Sequence, residues 1–272
     1  MFKLIHGQNN LWYGKFSIFP ESKVTHAIST RFNGYSKGDF NSLNLALHVN
    51  DDPLQVQKKR QKFCAGLNID FSNMTTCQQV HGNNIVLVNE LNKGSGAVNF
   101  DDTIPDADAL ITNKPNIALT LFFADCTPIM IYDPINHAIG VAHAGWRGTV
   151  GQIAKKTVEK MQENYQTDPK DCLASIGPAI GKCCYEIGDE VADKFKAIFA
   201  QDSAQILKYH QNKQKYHLDL WKANALMLEK AGLLPSNIDM ANTCTCCNHD
   251  VFFSYRADSG KTGRIACILA LK

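Results

Sequence analysis

His81, Cys126 and His143 stand out for their chemistry: two imidazoles and a thiol, each where an expected strand or helix begins or ends. A thiolate with two neutral imidazoles is a three-ligand zinc set. The open fourth position is what separates a catalytic zinc from a closed structural one. The same atoms also make a nucleophile pair, in which His143 lowers the pKa of the Cys126 thiol and Asp125 orients the base. The pair leaves one histidine over, whereas a metal uses both. A third reading keeps the three as separately satisfied core residues, since no spacing rule links such distant segments.

The local settings say how each would be delivered. His81 stands in Gln78-Gln79-Val80-His81-Gly82, where the glycine is expected to bend the backbone and turn the imidazole toward a pocket. Cys126 follows Phe122-Phe123-Ala124-Asp125 and precedes Thr127-Pro128, so a buried strand delivers an acid and a thiol together before proline redirects the chain. His143 leaves another apolar run into Ala144-Gly145-Trp146-Arg147-Gly148, whose small residues allow close approach. The helix expected to start near Thr149 would favour an anion at its N-terminus.

Those elements follow from periodicity. Asp51-Asp52-Pro53 supplies a cap and a first-turn proline for a helix over Leu54 to Ala65, whose Lys58, Lys59, Arg60 and Lys62 read as a solvated face. Val150, Ile153, Ala154, Thr157, Val158 and Met161 recur at helical spacing. Two later helices present Val191, Phe195, Ile198 and Phe199, then Leu220, Ala223, Met227, Leu228 and Ala231, as core faces. Strands are expected over Ile85 to Val88, Ile117 to Phe123, Ile129 to Tyr132, Ala138 to Ala142, Leu173 to Ile176 and Arg264 to Leu271. Asp133-Pro134-Ile135-Asn136 suits a hairpin and is too short for a helical crossover, so part of the sheet is antiparallel. The class is α+β, and residues 1–272 read as one domain, with no linker or repeat to divide them.

Composition narrows the function. The 272 residues are 44% hydrophobic and 20% charged, which excludes a disordered or fibrous chain. Twenty-eight Lys plus Arg against 26 Asp plus Glu is too balanced for a protein that binds nucleic acid by neutralising phosphates. No membrane partner is expected, because Asp125 interrupts the most apolar segment. The first residues lack an apolar export region, so a cytoplasmic location is expected. The ten cysteines read as reduced, buried structural thiols without disulfides. For Cys183-Cys184 and Cys244-Thr245-Cys246-Cys247 with His249, a metal cluster is the alternative.

Across nearly the whole chain the sequence resembles the YfiH/YlmD, or laccase-domain, family of purine nucleoside phosphorylases. The resemblance rests on several blocks: Ser29-Thr30-Arg31, Ser42-Leu43-Asn44-Leu45, Gln79-Val80-His81-Gly82, Asp106-Ala107-Asp108-Ala109-Leu110-Ile111-Thr112, Ala124-Asp125-Cys126 and His143-Ala144-Gly145-Trp146-Arg147-Gly148. Ser175-Ile176-Gly177-Pro178-Ala179-Ile180, Cys183-Cys184-Tyr185-Glu186 and Phe253-Ser254-Tyr255-Arg256 complete it. In Arg31-Phe32-Asn33-Gly34 the family usually has a glycine pair. Asn33 replaces the first, and Asn tolerates a left-handed turn.

The resemblance implies one zinc ion per chain on His81, Cys126 and His143, in layered mixed sheets flanked by helices. It also implies phosphorolysis of adenosine, inosine, guanosine and methylthioadenosine by inorganic phosphate, with adenosine deamination in the same pocket. Arg31, Arg147 and Arg256 then become phosphate candidates by charge and fork geometry. Asn44 becomes a substrate contact, and Asp125 a group that orients a ligand or a proton. Each of these five has a plain alternative as an ion pair or loop hydrogen bond, and Arg147 as a surface cation. The family's older description as a copper-dependent polyphenol oxidase fits poorly, since multi-electron oxygen chemistry calls for several metal centres. A different class of function remains: a cell-wall precursor editing or binding protein of the same fold.

Overall fold

The computed structural model describes residues 1–272 except the side chain at position 213. The chain begins with β1 (Phe2–His6), β2 (Trp12–Phe16), β3 (Val24–Ser29), α1 (Pro53–Gly66), β4 (Met74–Thr75), β5 (Ile85–Leu87) and β6 (Ala109–Thr112). It continues through β7 (Ala118–Phe123), β8 (Thr127–Asp133), β9 (Ala138–Ala144), α2 (Trp146–Val150), α3 (Ile153–Tyr165), β10 (Leu173–Ile176) and β11 (Glu186–Ile187). Then come α4 (Asp189–Phe199), α5 (Ser203–Ile206), β12 (Leu207–His210), β13 (Lys215–Leu218), α6 (Leu220–Lys230), β14 (Ile238–Met240) and β15 (Ile265–Leu271).

Sheet one has the order β1-β2-β3-β15-β7-β4, sheet two β14-β10-β8-β9-β6-β5, and a three-stranded sheet β11-β13-β12. Every residue of β8 and β9 is buried. Because side chains alternate along a strand, each of these strands serves two cores. Ile129 and Ile131 pack with Val158 of α3 and Leu228 of α6, while Met130 and Tyr132 pack with Leu119, Leu121 and Phe123 of sheet one. The other face of sheet one, through Ala118, Phe122 and Ile268, meets Phe63 and Cys64 of α1. The layers therefore run helix, sheet, sheet, helix, the expected α+β arrangement. Pairing is mixed, with β4–β7, β5–β6 and β10–β14 parallel and the β8–β9 hairpin antiparallel. The Asp133 carboxylate accepts from the N–H groups of Ile135 and Asn136 at 2.9 and 3.0 Å, which closes the hairpin turn. No described helix is long and apolar enough to cross a membrane.

Four expectations need correction. The helix after His143 is two helices: α2 starts at Trp146, the chain breaks at Gln152 with φ +61°, and α3 follows. Ile198 is 36% exposed, so it belongs to the rim of the α4 core face rather than its centre. Only Cys64, Cys77, Cys172, Cys244 and Cys267 are buried, whereas Cys183 and Cys247 are exposed on loops.

The basic run of α1 departs most from expectation, because Lys59 and Arg60 are both fully buried. Each is buried with partners, as the cost of desolvating a charge requires. Lys59 pairs with Asp51 at 2.7 Å and also bonds Ser36. Arg60 donates to the carbonyls of Leu45, Gly96 and Ala97 and stacks 4.7 Å from the centre of the Phe122 ring.

Removing one partner of such a pair strands the other charge, so Asp51→Ala should cost about 3–5 kcal/mol of stability. Lys58→Ala, on the exposed side of α1, should stay within about 0.5 kcal/mol of the parent. Urea unfolding of both variants checks this; equal, small effects would contradict the buried-pair account.

Candidate metal centre

Strand register determines where the centre forms. Ile139, Val141 and His143 alternate onto the side of β9 that faces sheet one, and the His143 ring lies 5.3 Å from that of Phe123. β7 belongs to sheet one and β8 to sheet two, so Ala124-Asp125-Cys126 must cross between the sheets at this end. That crossing places Cys126 beside His143. His81 arrives on the loop before β5, its ring 4.8 Å from that of His143 at 74°. The candidate ligand atoms of His81, Cys126 and His143 all lie within 4.8 Å of one another.

The fully buried carboxylate of Asp108, just before β6, ties the group together. Its Oδ1 accepts from His143 Nδ1 at 2.8 Å and from the His81 N–H at 3.0 Å. Its Oδ2 accepts from the N–H groups of Gly82 at 2.6 Å and Val80 at 3.2 Å. A carboxylate only accepts, so Nδ1 of His143 carries the proton and Nε2 is left as a ligand atom. Burial pushes the Asp108 carboxyl up, but His143 and the Gly82 and Val80 N–H groups outweigh it and hold the group below the ordinary carboxylate range. Asp108 had no role in the sequence reading. Its signal was an acid immediately before an apolar strand, in a position that no turn explains.

Gly82 does not itself take the left-handed backbone. His81 does, at φ +60°, and Asp125 does at φ +80°, conformations uncommon for residues with a Cβ. Gly145 does meet the expected need for close approach, since a Cβ there would lie 3.0 Å from Cys126 Sγ and 3.4 Å from His81 Cδ2. Burial pushes the Cys126 thiol up, but His143 and His81 outweigh it and bring it down to about 6. Burial works against the charged form of His143, while Cys126 and Asp108 raise it to about 9. A sulfur inclined to lose its proton beside two imidazoles, one of them oriented by a carboxylate, is a donor set that fits zinc.

The other expected residues divide by whether their polar atoms are already engaged. Asn44 is fully buried. Its amide donates to Ala46 O and Asp51 and accepts from the N–H groups of Ala46 and Arg264, so no donor or acceptor is left for a substrate. The carboxylate of Asp125 accepts from Thr245 Oγ1 and from the Arg256 N–H, both at 2.7 Å, binding two distant loops to the Cys126 crossing. Arg31 donates to the carbonyls of Asn41 and His249 and lies over Phe253. Asn33 takes φ +64°, the left-handed turn expected of it.

Arg256 donates to the carbonyls of Cys184 and Glu186. Arg147 is exposed, stacks on Trp146 at 4.3 Å, and makes no hydrogen bond or ion pair among the described residues. Arg256 lies 5.6 Å from the centre of the Tyr185 ring, and Tyr185 is within electrostatic reach of both Cys126 and Arg147. Arg264 also feels Cys126 and Asp125. It was missed because a cation at the start of a C-terminal strand resembles an ordinary strand cap.

Residues 25–272 match the family described as multi-copper polyphenol oxidoreductase laccase. The purine nucleoside phosphorylase YlmD of Geobacillus stearothermophilus is 38% identical over 251 residues, covering 92% of this chain and 91% of its own. The YlmD of Bacillus subtilis is 36% identical, covering 92% and 89%. The chain belongs to the laccase-like YfiH/YlmD family. Its fold agrees: the crystal structure of the Geobacillus YlmD superposes with a TM-score of 0.93 at 36% identity, covering 99% of this chain and all of that one. The Bacillus licheniformis YfiH structure gives 0.89 at 37% identity, covering 92% and 93%.

Replacing Asp108 by Asn keeps the size but turns one acceptor into a donor facing N–H groups. Zinc affinity should fall about 10–100-fold, the usual consequence of losing a carboxylate behind a ligating histidine. Competition against a chromophoric chelator measures it, and unchanged affinity would remove Asp108 from the account.

Proposed function

We propose that this chain is a zinc-containing purine nucleoside phosphorylase. On this reading it cleaves adenosine, inosine, guanosine and methylthioadenosine with inorganic phosphate, and it deaminates adenosine in the same pocket. The observation that carries the reading is the convergence of His81, Cys126 and His143 with Asp108 behind them, in a chain whose relatives are named purine nucleoside phosphorylases. Zinc held there supplies a Lewis acid and an acidified water, the requirement for hydrolytic deamination of a purine ring.

In phosphorolysis the phosphate attacks the sugar carbon as the purine leaves, so the pocket must hold an anion beside the nucleoside. Arg147 suits that role best, since its planar fork has no acceptor among the described residues, stacks on Trp146 and is within electrostatic reach of Tyr185. Arg256 is the second anion ligand, positioned by the Cys184 and Glu186 carbonyls. Arg31 is the third candidate, held by Phe253, the His249 carbonyl and Asp258. Asp125 positions Cys126 and Arg256 relative to one another, and Asn44 holds the backbone of Arg264.

The copper description of the family fits the donors less well. Among the described residues there are two groups able to hold a metal, one with two imidazoles and the other with thiols alone. Neither resembles the clustered histidines that several copper centres would need. The Cys126–His143 pair on its own favours a second reading, a thiolate hydrolase, because the thiol is brought down and the imidazole raised. Under that reading activity survives chelation and is lost on alkylation of Cys126.

With adenosine or inosine, free base and ribose 1-phosphate should form only when phosphate is present, while deamination should proceed without it. His143→Ala should abolish both. Arg147→Ala should raise the KM for phosphate about tenfold or more, the loss of a charge-assisted bond of about 1.5–3 kcal/mol. Equal base release without phosphate would make the enzyme a hydrolase, and no turnover by zinc-loaded protein would overturn the assignment.

A further inference from the structure

A second metal-capable group, made of thiols alone, lies on loops one of which carries the carbonyl that receives Arg256. Cys183 and Cys184 sit in the loop after β10, and Cys244 and Cys247 in the loop after β14. The backbone holds these loops together: Ala179 pairs with Cys244 in parallel, Ala179 N–H donates to Thr243 O, and Thr245 N–H donates to Ala179 O. The Cys184 and Tyr185 N–H groups both donate to Gly181 O, forming a tight turn. Within that turn two adjacent side chains need not point to opposite sides as they would on a strand.

The four sulfurs all lie within 4.8 Å of one another. Cys247 Sγ is 3.4 Å from both Cys183 Sγ and Cys184 Sγ. A tetrahedron of sulfurs about 2.3 Å from a central zinc has edges of about 3.8 Å, within the observed range. Cys244 Sγ already accepts N–H groups from Gly181 at 3.2 Å and Cys247 at 3.4 Å, the bonds that commonly surround a metal-bound thiolate. Cys247 is equally close to two partners, so the geometry singles out no disulfide pairing among the four. One metal ion uses all four. His249 is not part of the group and faces Asp258 instead.

We propose that Cys183, Cys184, Cys244 and Cys247 bind a second zinc ion in a closed, structural site that staples the loop after β10 to the loop after β14. Four soft thiolates and no open position suit zinc, and binding releases the four thiol protons to solvent. The staple lies where it matters to the pocket. Cys184 O receives the guanidinium of Arg256, and Thr245, next to Cys244, holds Asp125. The ion therefore fixes the frame on which Arg256 and Asp125 are mounted. This inference rests on the four sulfurs alone and does not depend on the reaction proposed above.

Metal content by plasma mass spectrometry tests it on the intact chain. Wild type should carry two zinc per chain, Cys126→Ser/His81→Ala one, and Cys183→Ser/Cys247→Ser one. In Cys126→Ser/His81→Ala, cobalt(II) should exchange into the remaining site and give the intense thiolate-to-cobalt absorption and strong visible bands of a four-sulfur tetrahedron. That measurement stands even if Cys183→Ser/Cys247→Ser fails to fold. Failure of the first site alone would show as equal metal content in wild type and Cys126→Ser/His81→Ala. The second zinc is overturned if folded Cys126→Ser/His81→Ala binds no metal, if its cobalt spectrum lacks thiolate bands, or if mass mapping finds a disulfide among the four cysteines.

Discussion

One buried carboxylate organises this end of the molecule. Asp108 gathers the ring of His143 and the N–H groups of Val80, His81 and Gly82, bringing together two segments far apart in sequence. A carboxylate without access to water is costly unless fully hydrogen bonded. The arrangement meets that demand only when the His81 loop and the His143 strand end are both in place. One of these four bonds, from His143 Nδ1, places the proton on that nitrogen, so satisfying a buried charge and presenting a ligand nitrogen are one structural event.

The rest of the fold supplies the frame for that event. A strand of sheet one must hand the chain to a strand of sheet two at the point where β9 ends, and Cys126 is on the crossing. The Gln79 amide exchanges hydrogen bonds of 2.8 and 2.9 Å with the backbone of Phe122, which fastens the His81 loop to β7. Beneath Phe122 lies the buried guanidinium of Arg60, held by three loop carbonyls. Of the three residues only His143 lies in a strand, while Cys126 and His81 sit on short segments fastened to strand ends whose positions are set by packing on both faces.

Much of this was legible in the sequence because it is local. The β8–β9 hairpin follows from Asp133-Pro134-Ile135-Asn136, six of the fifteen strands and the longer helices from their periods, and the three metal-capable residues from their types and flanking residues, whereas β1–β4, β6 and β11–β14 are not announced by any period. What was not legible depends on distant partners. Lys59 and Arg60 read as a solvated face until Asp51 and the carbonyls of Leu45, Gly96 and Ala97 close over them. Asn44, expected as a substrate contact, has its amide fully engaged in the core, with Arg264 as its distant partner. The break at Gln152 has no glycine or proline of its own to announce it, although Gly151 precedes it. The four-thiol group needs the pairing of Ala179 with Cys244, a contact that no spacing rule predicts.

The central claim, that Asp108 holds His81 and His143 so that two imidazoles and the Cys126 thiolate take one zinc ion, is tested most directly by anomalous diffraction at the zinc edge on crystals of the purified protein. The account predicts an anomalous peak about 2.0–2.1 Å from His143 Nε2 and a ring nitrogen of His81, and about 2.3 Å from Cys126 Sγ, with Nδ1 of His143 still on Asp108. Zinc bound through Nδ1 of His143, or no zinc among these three side chains in protein shown to contain the metal, would contradict it.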